Sequence, residues 1–362
     1  MIKIPSGEEG VVIPIVESTT SPTTTTPPVA EKVKNTAVPE KKVSAVIPIP
    51  ATINKNTEVA AWLYPGSPAC GAKSEYISRK VSVLKPEYFM INGDGELILL
   101  TEEDAGCNGY SKENVAHIKK YSSEQYVTVA SSYGETMGIF LEQALGNKES
   151  INTLVKFVKD NGMTGIELDF EDFGGWNSES YKNFKLFVTE LGTELHKSGK
   201  KLMIDGPATS NLTEQNWFVW RYSDFKNLPV DTIVVMAYDY QFDQGVGVPV
   251  SPLIWIKEVT QWTQAQLGGS KKISIGLPSY GYKGHVGGNR TKLLTYAEIK
   301  NEPGFTSATR NEESHEMTWE SDGYVYFYQD EQSLSKKRSV VEALGITSIS
   351  VWHLGGNLWF TK

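Results

Sequence analysis

Apolar residues recur along this chain in short runs from about residue 58 onward, and segments with helical spacing separate the runs. Short runs bounded by turn-forming residues predict strands, and longer segments with apolar positions three or four apart predict helices. The predicted strands are residues 59–64, 88–92, 126–130, 165–171, 201–205, 232–240, 273–278 and 349–353. The predicted helices are residues 74–84, 150–159, 178–197, 252–266 and 334–344. Eight strands that alternate with helices predict an α/β fold, a (β/α)8 TIM barrel.

The segment between the seventh strand and the last helix is too long for a simple connection. It contains a helix-like stretch at 294–301 and two alternating runs at 316–320 and 324–328, which Asp322-Gly323 joins. An Asp-Gly pair between alternating runs is typical of a hairpin. The pattern therefore predicts a small α+β insertion at about 283–330, beside the barrel mouth. A similar turn precedes residues 96–100, which predicts a hairpin arm after the second strand.

Residues 1–55 have a different composition from the rest of the chain. Residues 18–28 are almost entirely Thr, Ser and Pro, a composition that favours an extended linker and cannot form a core. Two flanking segments, residues 12–16 and 46–50, share an Ile-Pro-Ile core and could dock as extended peptides on a partner protein. The alternative is a disordered tether. We therefore predict an extended tail or anchor at 1–55 and a catalytic barrel at 56–362.

The fourth predicted strand carries three acidic residues on one face. In Gly165-Ile-Glu-Leu-Asp-Phe-Glu171, the side chains alternate, so Glu167, Asp169 and Glu171 share a face opposite the apolar residues. The Cα atoms of successive acidic residues on this face would lie roughly 6.5–7 Å apart. Like charges that close raise one another's pKa values, which keeps a carboxyl protonated near neutral pH. The alternative is a solvated edge strand with an acidic side. The apolar opposite face and the nearby aromatic residues favour a strand that lines a cleft.

These residues resemble the signature of glycoside hydrolase family 18, the chitinase-like barrels, which is written D-G-x-D-x-D-x-E. The chain has Thr164-Gly-Ile-Glu-Leu-Asp-Phe-Glu171, so it departs from the signature at Thr164 and at Glu167. Three later segments resemble family motifs in the same order, namely Met236-Ala-Tyr-Asp239, Gly276-Leu-Pro-Ser-Tyr-Gly281 and Val351-Trp-His-Leu-Gly355. The resemblance covers roughly residues 58–357 and leaves the tail outside.

The resemblance implies a substrate-assisted mechanism and a role for each matching residue. Glu171 would be the general acid and base, Asp169 would hold the substrate's acetamido nitrogen, and Tyr238 would donate to the acetamido oxygen. The remaining predicted substrate-binding residues are Glu167, Met236, Asp239, Trp352, Tyr64 and Tyr280. Met236 could equally be wall packing, and Asp239 could cap the next helix. No metal and no cofactor are expected.

Composition narrows the partners and the compartment. The formal net charge is −8, and no basic stripe stands out, which disfavours nucleic acid as a ligand. No apolar run approaches about 20 residues, so we expect no membrane span, and the N-terminus lacks a recognisable signal peptide. We expect an extracellular, surface-associated or particle-associated protein. Cys70 and Cys107 either form a disulfide or remain two free buried thiols.

The resemblance therefore implies a retaining, substrate-assisted glycosidase of the chitinase or endo-β-N-acetylglucosaminidase type. Its partner would be a polymer that contains β-linked N-acetylglucosamine, either chitin-like or peptidoglycan, because bacterial cell-wall relatives also vary at the position of Glu167. The alternative is a weakly active or inactive carbohydrate-binding barrel that the tail displays on a larger assembly.

Overall fold

The structure is a computed structural model that describes residues 56–66 and 69–361. The predicted tail at 1–55, with its two Ile-Pro-Ile segments, lies outside the described residues. Within the described part no helix is long and apolar enough to cross a membrane.

The described chain alternates strands and helices over most of its length. The strands are β1 (Glu58–Leu63), β2 (Val83–Ile91), β3 (Leu97–Leu99), β4 (Glu124–Ser131), β5 (Gly165–Phe170), β6 (Lys201–Pro207), β7 (Thr232–Met236), β8 (Ile273–Pro278), β9 (Gly281–His285), β10 (Thr291–Leu294), β11 (Thr309–Arg310), β12 (Met317–Ser321), β13 (Tyr324–Tyr328) and β14 (Ser348–Trp352). The α-helices are α1 (Ala72–Arg79), α2 (Glu102–Ala105), α3 (Lys112–Tyr121), α4 (Met137–Asn147), α5 (Glu149–Asp160), α6 (Ser178–Lys197), α7 (Leu212–Gln215), α8 (Tyr240–Gln244), α9 (Leu253–Leu267), α10 (Tyr296–Ile299) and α11 (Glu331–Ala343).

The main sheet closes on itself. Its parallel strands run in the order β1-β14-β8-β7-β6-β5-β4-β2, and β1 also pairs with β2. Strand β3 adds to β2 in antiparallel fashion, as the hairpin prediction requires. The predicted (β/α)8 barrel is confirmed, and in such a barrel the loops at the carboxyl ends of the strands form the functional face.

Apolar residues on the outer face of the strands hold the surrounding helices. On β5, Ile166, Leu168 and Phe170 are at most 1% exposed. Phe170 contacts Phe140 of α4 and Phe187 of α6, with ring centroids 5.8 and 6.4 Å apart. Each such side chain contributes about 1.5–3 kcal/mol through burial. The outward face of β5 is therefore fixed by packing, which leaves its acidic face directed into the barrel.

The barrel interior changes from apolar to polar along the strands. At the amino ends, Ala60, Val83, Tyr126 and Met203 form a buried cluster. Polar and charged residues follow two positions later on several strands and are at most 1% exposed. These residues are Lys85, Thr128 and Asp205. The equally buried residues Glu167, Ser274 and Ser350, on other strands, belong to the same polar layer. The carboxyl-terminal face of the barrel thus lies above a buried polar layer rather than above an apolar one.

The predicted insertion forms a second sheet beside the barrel. Its order is β10-β9-β13-β12-β11, all antiparallel, and β12 and β13 form the predicted hairpin. Trp319 and Tyr326 stack across that hairpin with ring centroids 4.2 Å apart. A buried pair, Glu316 and Lys337, joins the insertion to α11. This confirms an α+β insertion between the seventh barrel strand and the last helix.

Two predicted boundaries are wrong for identifiable reasons. The helix predicted at 74–84 ends at Arg79, because Lys80 adopts the left-handed conformation that terminates α1, and β2 begins at Val83. The strand predicted at 232–240 ends at Met236. There Asp239 is also left-handed, with φ 64°, and helix α8 begins directly after it. In both places a single backbone turn overrides the apolar pattern.

The two cysteines form a disulfide. Cys70 and Cys107 join the loop after β1 to the loop after α2, with a Cα–Cα distance of 5.4 Å and a sequence separation of 37. A cross-link over a loop of that length stabilises a fold by about 3–4 kcal/mol through restriction of the unfolded chain. Of the two alternatives left open by the sequence, the structure has the disulfide.

Candidate active site

The predicted site residues converge on the carboxyl-terminal face of the barrel. Tyr64 follows β1, Glu171 follows β5, Tyr238 follows β7, and Trp352 ends β14. All four side chains are partly exposed at this face. The loops after these strands therefore bring together residues that lie far apart in the sequence.

The two central carboxyls, Asp169 and Glu171, have strongly perturbed acidities. Burial, together with the charges of Asp169, Asp239 and Glu87, raises the pKa of Glu171 well above its usual value. Burial and the nearby Glu167 raise the pKa of Asp169 to about 7. A carboxyl that keeps its proton near neutral pH can act as a general acid. Glu171 is therefore equipped to give a proton to a leaving oxygen.

Tyr238 is placed to donate rather than to ionise. Burial and the surrounding carboxyls, Asp169 foremost among them, raise the pKa of Tyr238 well above that of a free phenol. Its ring lies against β8, where a Cβ at Gly276 would come within 2.9 Å of the ring atom Cε1. The glycine in the motif Gly276–Gly281 thus makes room for this tyrosine. The hydroxyl remains available to a substrate oxygen at neutral pH.

Asp239 and Tyr280 form one unit beneath the mouth. The Tyr280 hydroxyl donates to Asp239 Oδ1 at 2.5 Å, and Gln241 donates to the same oxygen at 3.1 Å. Burial raises the pKa of Asp239 to about 6, and these hydrogen bonds oppose the rise. Tyr280 is only 2% exposed. Its hydroxyl is used in holding Asp239, and its role as a substrate contact stays a prediction. Asp239 stands at the N-cap position of α8, and its side chain accepts no hydrogen bond from a backbone N–H of the helix.

An aromatic wall completes the pocket. Trp352 packs edge-on against Tyr280 at 5.0 Å and against Tyr64 at 6.4 Å between ring centroids. Trp352 and Tyr64 are both partly exposed, as stacking on a sugar ring requires. Met236 is 8% exposed and belongs to the main core, which agrees with the wall-packing alternative.

Glu167, predicted as a substrate-binding residue, lies inside the barrel and forms an internal ion pair with Lys85. Its side chain is fully buried. Lys85 Nζ donates to Oε1 at 2.5 Å, and the Thr128 hydroxyl donates to Oε2 at 2.6 Å. Lys85 also donates to Ser350 Oγ at 3.0 Å and lies 3.0 Å from the centroid of the Trp62 ring. With both oxygens engaged and no exposed surface, Glu167 cannot reach a ligand.

Three ionisable residues of the site are not among the sequence predictions. Lys85 neutralises Glu167, Asp205 on β6 adds a further buried carboxyl, and Glu87 on β2 faces both Glu167 and Asp169. Burial and those two charges raise the pKa of Glu87 to about 8. Strand alternation could have found Asp205, because it shares a face with the interior residue Met203. Across residues 56–66 and 69–361 no His, Cys, Asp and Glu cluster has the arrangement of a metal site.

Comparison with known proteins gives a consistent result. Residues 76–357 match the family model described as glycosyl hydrolases family 18. The chain is similar to the uncharacterized glycosylase YvbX of Bacillus subtilis, with 25% identity over 237 residues, 61% of this chain and 66% of the relative. It is also similar to the cortical fragment-lytic enzyme of Bacillus anthracis, with 23% identity over 237 residues, 60% of this chain and 52% of the relative. The chain thus spans about half to two thirds of the length of these curated relatives.

Solved structures show the same fold. A chitinase from Chromobacterium violaceum superposes with a TM-score of 0.67 at 20% identity, over 83% of this chain and 95% of that one. The spore cortex-lytic enzyme SleL of Bacillus cereus superposes with a TM-score of 0.66 at 19% identity, over 83% of this chain and 72% of that one.

Proposed function

Because the chain belongs to glycosyl hydrolase family 18 and is a glycosidase, we propose that it cleaves β-linked N-acetylglucosamine polymers by a retaining, substrate-assisted mechanism. The observation that carries the proposal is the arrangement of Asp169, Glu171 and Tyr238. A protonated acid, a second carboxyl two residues before it and a phenol donor all meet at one face of the barrel.

In the first step the substrate supplies its own nucleophile. The acetamido carbonyl oxygen attacks C1 of the sugar, the C1–O glycosidic bond breaks, and the proton of Glu171 goes to the departing oxygen. The product is a cyclic oxazolinium ion. Asp169 accepts a hydrogen bond from the acetamido N–H and balances the positive charge. Tyr238 donates a hydrogen bond to the acetamido oxygen and so orients that oxygen.

In the second step Glu171 works in the opposite direction. Its carboxylate takes a proton from water, the water oxygen attacks C1, and the oxazolinium ring opens. Two inversions at C1 give net retention of configuration. Trp352 and Tyr64 provide the aromatic surface against which the sugar packs, and the Asp239–Tyr280 pair supports that surface from below.

The substrate class follows from the mechanism and from the relatives. Anchimeric attack requires a 2-acetamido group, which chitin and the glycan strands of peptidoglycan both contain. The names of the relatives include a cortical fragment-lytic enzyme and a chitinase. We propose a bacterial cell-wall glycan or a chitin-like polymer. We also propose an extracellular, surface or particle location, with the tail as a possible anchor to a protein assembly.

The change Glu171→Gln tests the proposal. The amide keeps the shape of the side chain and cannot give up a proton, so turnover of a chromogenic chito-oligosaccharide should fall by about 10²-fold or more. Binding of the intact oligosaccharide, followed by calorimetry, should persist. A variant that keeps a tenth or more of wild-type turnover would show that Glu171 is not the acid.

A thiazoline analogue tests the nucleophile. It mimics the oxazolinium ion and should inhibit far more strongly than the parent sugar binds, since transition-state-like ligands bind more tightly than substrates. Comparable cleavage of a plain glucose polymer would exclude substrate assistance. A wild-type protein that binds chito-oligosaccharides and never cleaves them would favour the alternative function as a displayed carbohydrate-binding barrel.

A further inference from the structure

The buried carboxyls beneath the active site form a stack that holds more acid groups than cations. Asp205, Glu167 and Asp169 lie on the neighbouring strands β6 and β5, and Lys85 on β2 is the cation that faces them. Asp205 is 1% exposed, and Glu167 is 0% exposed. Three charges of the same sign in such a space would repel strongly. One or more of these carboxyls must therefore be neutral.

Glu167 is the member of the stack that the geometry keeps ionised. Its two oxygens receive hydrogen bonds from the Lys85 ammonium and from the Thr128 hydroxyl. A cation at 2.5 Å and a second donor both favour the carboxylate over the acid. A proton on Glu167 would displace one of these donors. Lys85 thus removes Glu167 from the set of groups that could store a proton for Asp169.

Asp205 has the opposite surroundings. Neither of its oxygens receives a hydrogen bond from any N–H or O–H donor of the described residues, and Oδ1 of Asp169 also lacks one. The Asp205 carboxyl instead lies on β6 beside the carboxyls of Asp169 and Glu167 on the neighbouring strand β5. Two carboxyls can form a hydrogen bond only if one of them carries a proton. The contacts that are available therefore suit a protonated Asp205 with two possible acceptors.

Other groups near Asp205 do not donate a hydrogen bond to its carboxyl. The Tyr222 hydroxyl already donates to the Pro207 carbonyl oxygen at 2.7 Å. Tyr238 faces the stack from the end of β7 and, in the proposed mechanism, donates to the substrate. Glu87 on β2 faces Glu167 and Asp169 and adds another acid group. These groups leave Asp205 without a donor.

We propose that Asp205 is a positioning residue that carries a proton and donates a hydrogen bond to Glu167 or to Asp169, and so stabilises the carboxylate form of Asp169 and orients it toward the substrate. When Asp169 bears the negative charge that balances the oxazolinium ion, the Asp205 O–H points to Asp169. When Asp169 is not so engaged, the same O–H points to Glu167. The proton stays on Asp205 or is shared with Asp169, so no other donor or acceptor is needed.

Burial and the charges of Glu167 and Asp169 also raise the pKa of Asp205 well above its usual value, which is consistent with this assignment. The kinetic part of the inference rests on the proposed function. The protonation of Asp205 does not, so the two can fail separately.

Carbon-13 NMR of the full chain, labelled at the side-chain carboxyl of aspartate, tests the protonation directly. The resonance that disappears in Asp205→Asn identifies Asp205. In the wild-type protein it should remain that of a protonated carboxyl through neutral pH. Titration near the ordinary value for aspartate, about 3.9, would overturn the proposal. This measurement needs no turnover, so it decides the point even if the protein hydrolyses none of the oligosaccharides offered.

Kinetics of full-length variants test the positioning role. On a chromogenic N-acetylchitotrioside, Asp205→Leu should lower kcat by about tenfold or more, since leucine has a similar branched shape and cannot donate a hydrogen bond to Asp169. The KM should stay within about twofold, because the pocket surface is unchanged. Asp205→Asn, whose amide N–H can take the place of the O–H, should retain more of kcat than Asp205→Leu. A kcat within about twofold of wild type in Asp205→Leu would overturn the proposal.

Glu316→Gln is the matched control, because Glu316 is an equally buried carboxyl bound to a lysine and lies in the insertion. It should lose stability while kcat of the folded protein stays near the wild-type value. An equal fall of kcat in Glu316→Gln and Asp205→Leu would show a general effect of buried carboxyls and overturn the positioning role.

Discussion

The molecule contains two buried lysine–glutamate pairs that look alike and have different surroundings. The insertion pair, Lys337 and Glu316, joins α11 to the insertion, and the barrel pair, Lys85 and Glu167, crosses the barrel interior. All four side chains are fully buried. The N–O distances are 3.0 Å in the insertion pair and 2.5 Å in the barrel pair.

The insertion pair is saturated with hydrogen bonds. Lys337 donates to the carbonyl oxygens of Ser251 and Ser314 as well as to Glu316. The two carboxylate oxygens of Glu316 accept from the backbone N–H groups of Val250 and Ser251. Burial lowers the pKa of Lys337, and Glu316 opposes that change. This network fixes how three segments meet, and no surplus charge is left over.

The barrel pair lies beside Asp169 and beside Asp205, whose carboxyl oxygens have no N–H or O–H donor within residues 56–66 and 69–361. Lys85 balances the charge of one carboxylate, Glu167, in a group of several carboxyls. The protonation of the other carboxyls therefore depends on pH. The neighbours of a buried ion pair, rather than its own geometry, therefore decide whether the pair only stabilises a fold or also sets the charge of a site.

The largest effect should follow loss of the barrel cation. Lys85→Met leaves Glu167 buried without its counter-charge, which should cost about 3–5 kcal/mol of unfolding free energy. It should also lower kcat by about tenfold or more, because the stack then holds an additional proton and Asp169 loses its charge. Denaturant unfolding and chito-oligosaccharide kinetics measure the two effects.

The double change Lys85→Met with Glu167→Gln is the control for the first prediction. It removes the charges together and leaves an amide that can still accept from Thr128. Most of the lost stability should return. If it does not, the cost of Lys85→Met comes from packing against Trp62 rather than from charge.

The insertion pair should give a comparable loss of stability without a catalytic effect. Lys337→Met strands Glu316 in the interior and should cost about 3–5 kcal/mol. The kcat of the folded fraction should stay near that of wild type, because both side chains are fully buried and belong to the insertion network rather than to the carboxyl stack of the barrel. A fall in kcat that matches the fall for Lys85→Met would contradict the distinction between the pairs.

The free energy of unfolding should depend on pH through the raised pKa values of the carboxyls in the site. The folded pKa values of about 7 for Asp169 and about 6 for Asp239 exceed the unfolded value of 3.8. Between about pH 4 and pH 7 the folded state then binds more protons than the unfolded state, so stability falls as pH rises. Asp169→Asn should reduce that slope by as much as about 1.4 kcal/mol per pH unit. An unchanged slope, measured by denaturant unfolding at several pH values, would show that Asp169 titrates normally.

The smallest effect should come from removal of the tail. Its composition cannot bury enough apolar surface to offset ordering, so a chain that starts near Ala51 should keep both buried pairs, with soluble turnover unchanged and the melting temperature shifted by at most a few degrees. The truncated chain should lose any association with a particle or surface. Unfolding of the barrel or loss of soluble turnover on truncation would show that the tail packs on the domain.

The sequence predicts the barrel well because its strands are apolar on the outer face and end in family-like motifs. Strands β5, β6, β8 and β14 lie close to where the apolar runs place them. The start of β2 is not predicted, since Lys85-Pro86-Glu87 reads as an exposed turn and not as the interior of a strand. A lysine inside a barrel can be explained only together with its acidic partner on another strand, here Glu167.

The site follows the same rule. Glu171, Asp169, Tyr238, Asp239 and Trp352 lie at the ends of predicted strands, and the barrel topology brings such ends together. Strand register across β2, β5 and β6 determines that Lys85 pairs with Glu167. It also determines that the Asp205 carboxyl has no N–H or O–H donor among the described residues. Register between distant strands is a tertiary property, and a single sequence does not contain it in a readable form.

The pairing of β1 with β14 also has a consequence for how the protein is made. Strand β1 lies near the beginning of the described chain, and β14 lies at its end, with Val59 opposite Ile349. A ribosome that adds about 5–20 residues per second needs about 15–60 s to travel between the two strands. Throughout that interval one edge of β1 has no neighbour, and an open strand edge is a template for pairing between nascent chains. We therefore expect the yield of folded protein to depend on translation speed and on chaperones that cover this edge.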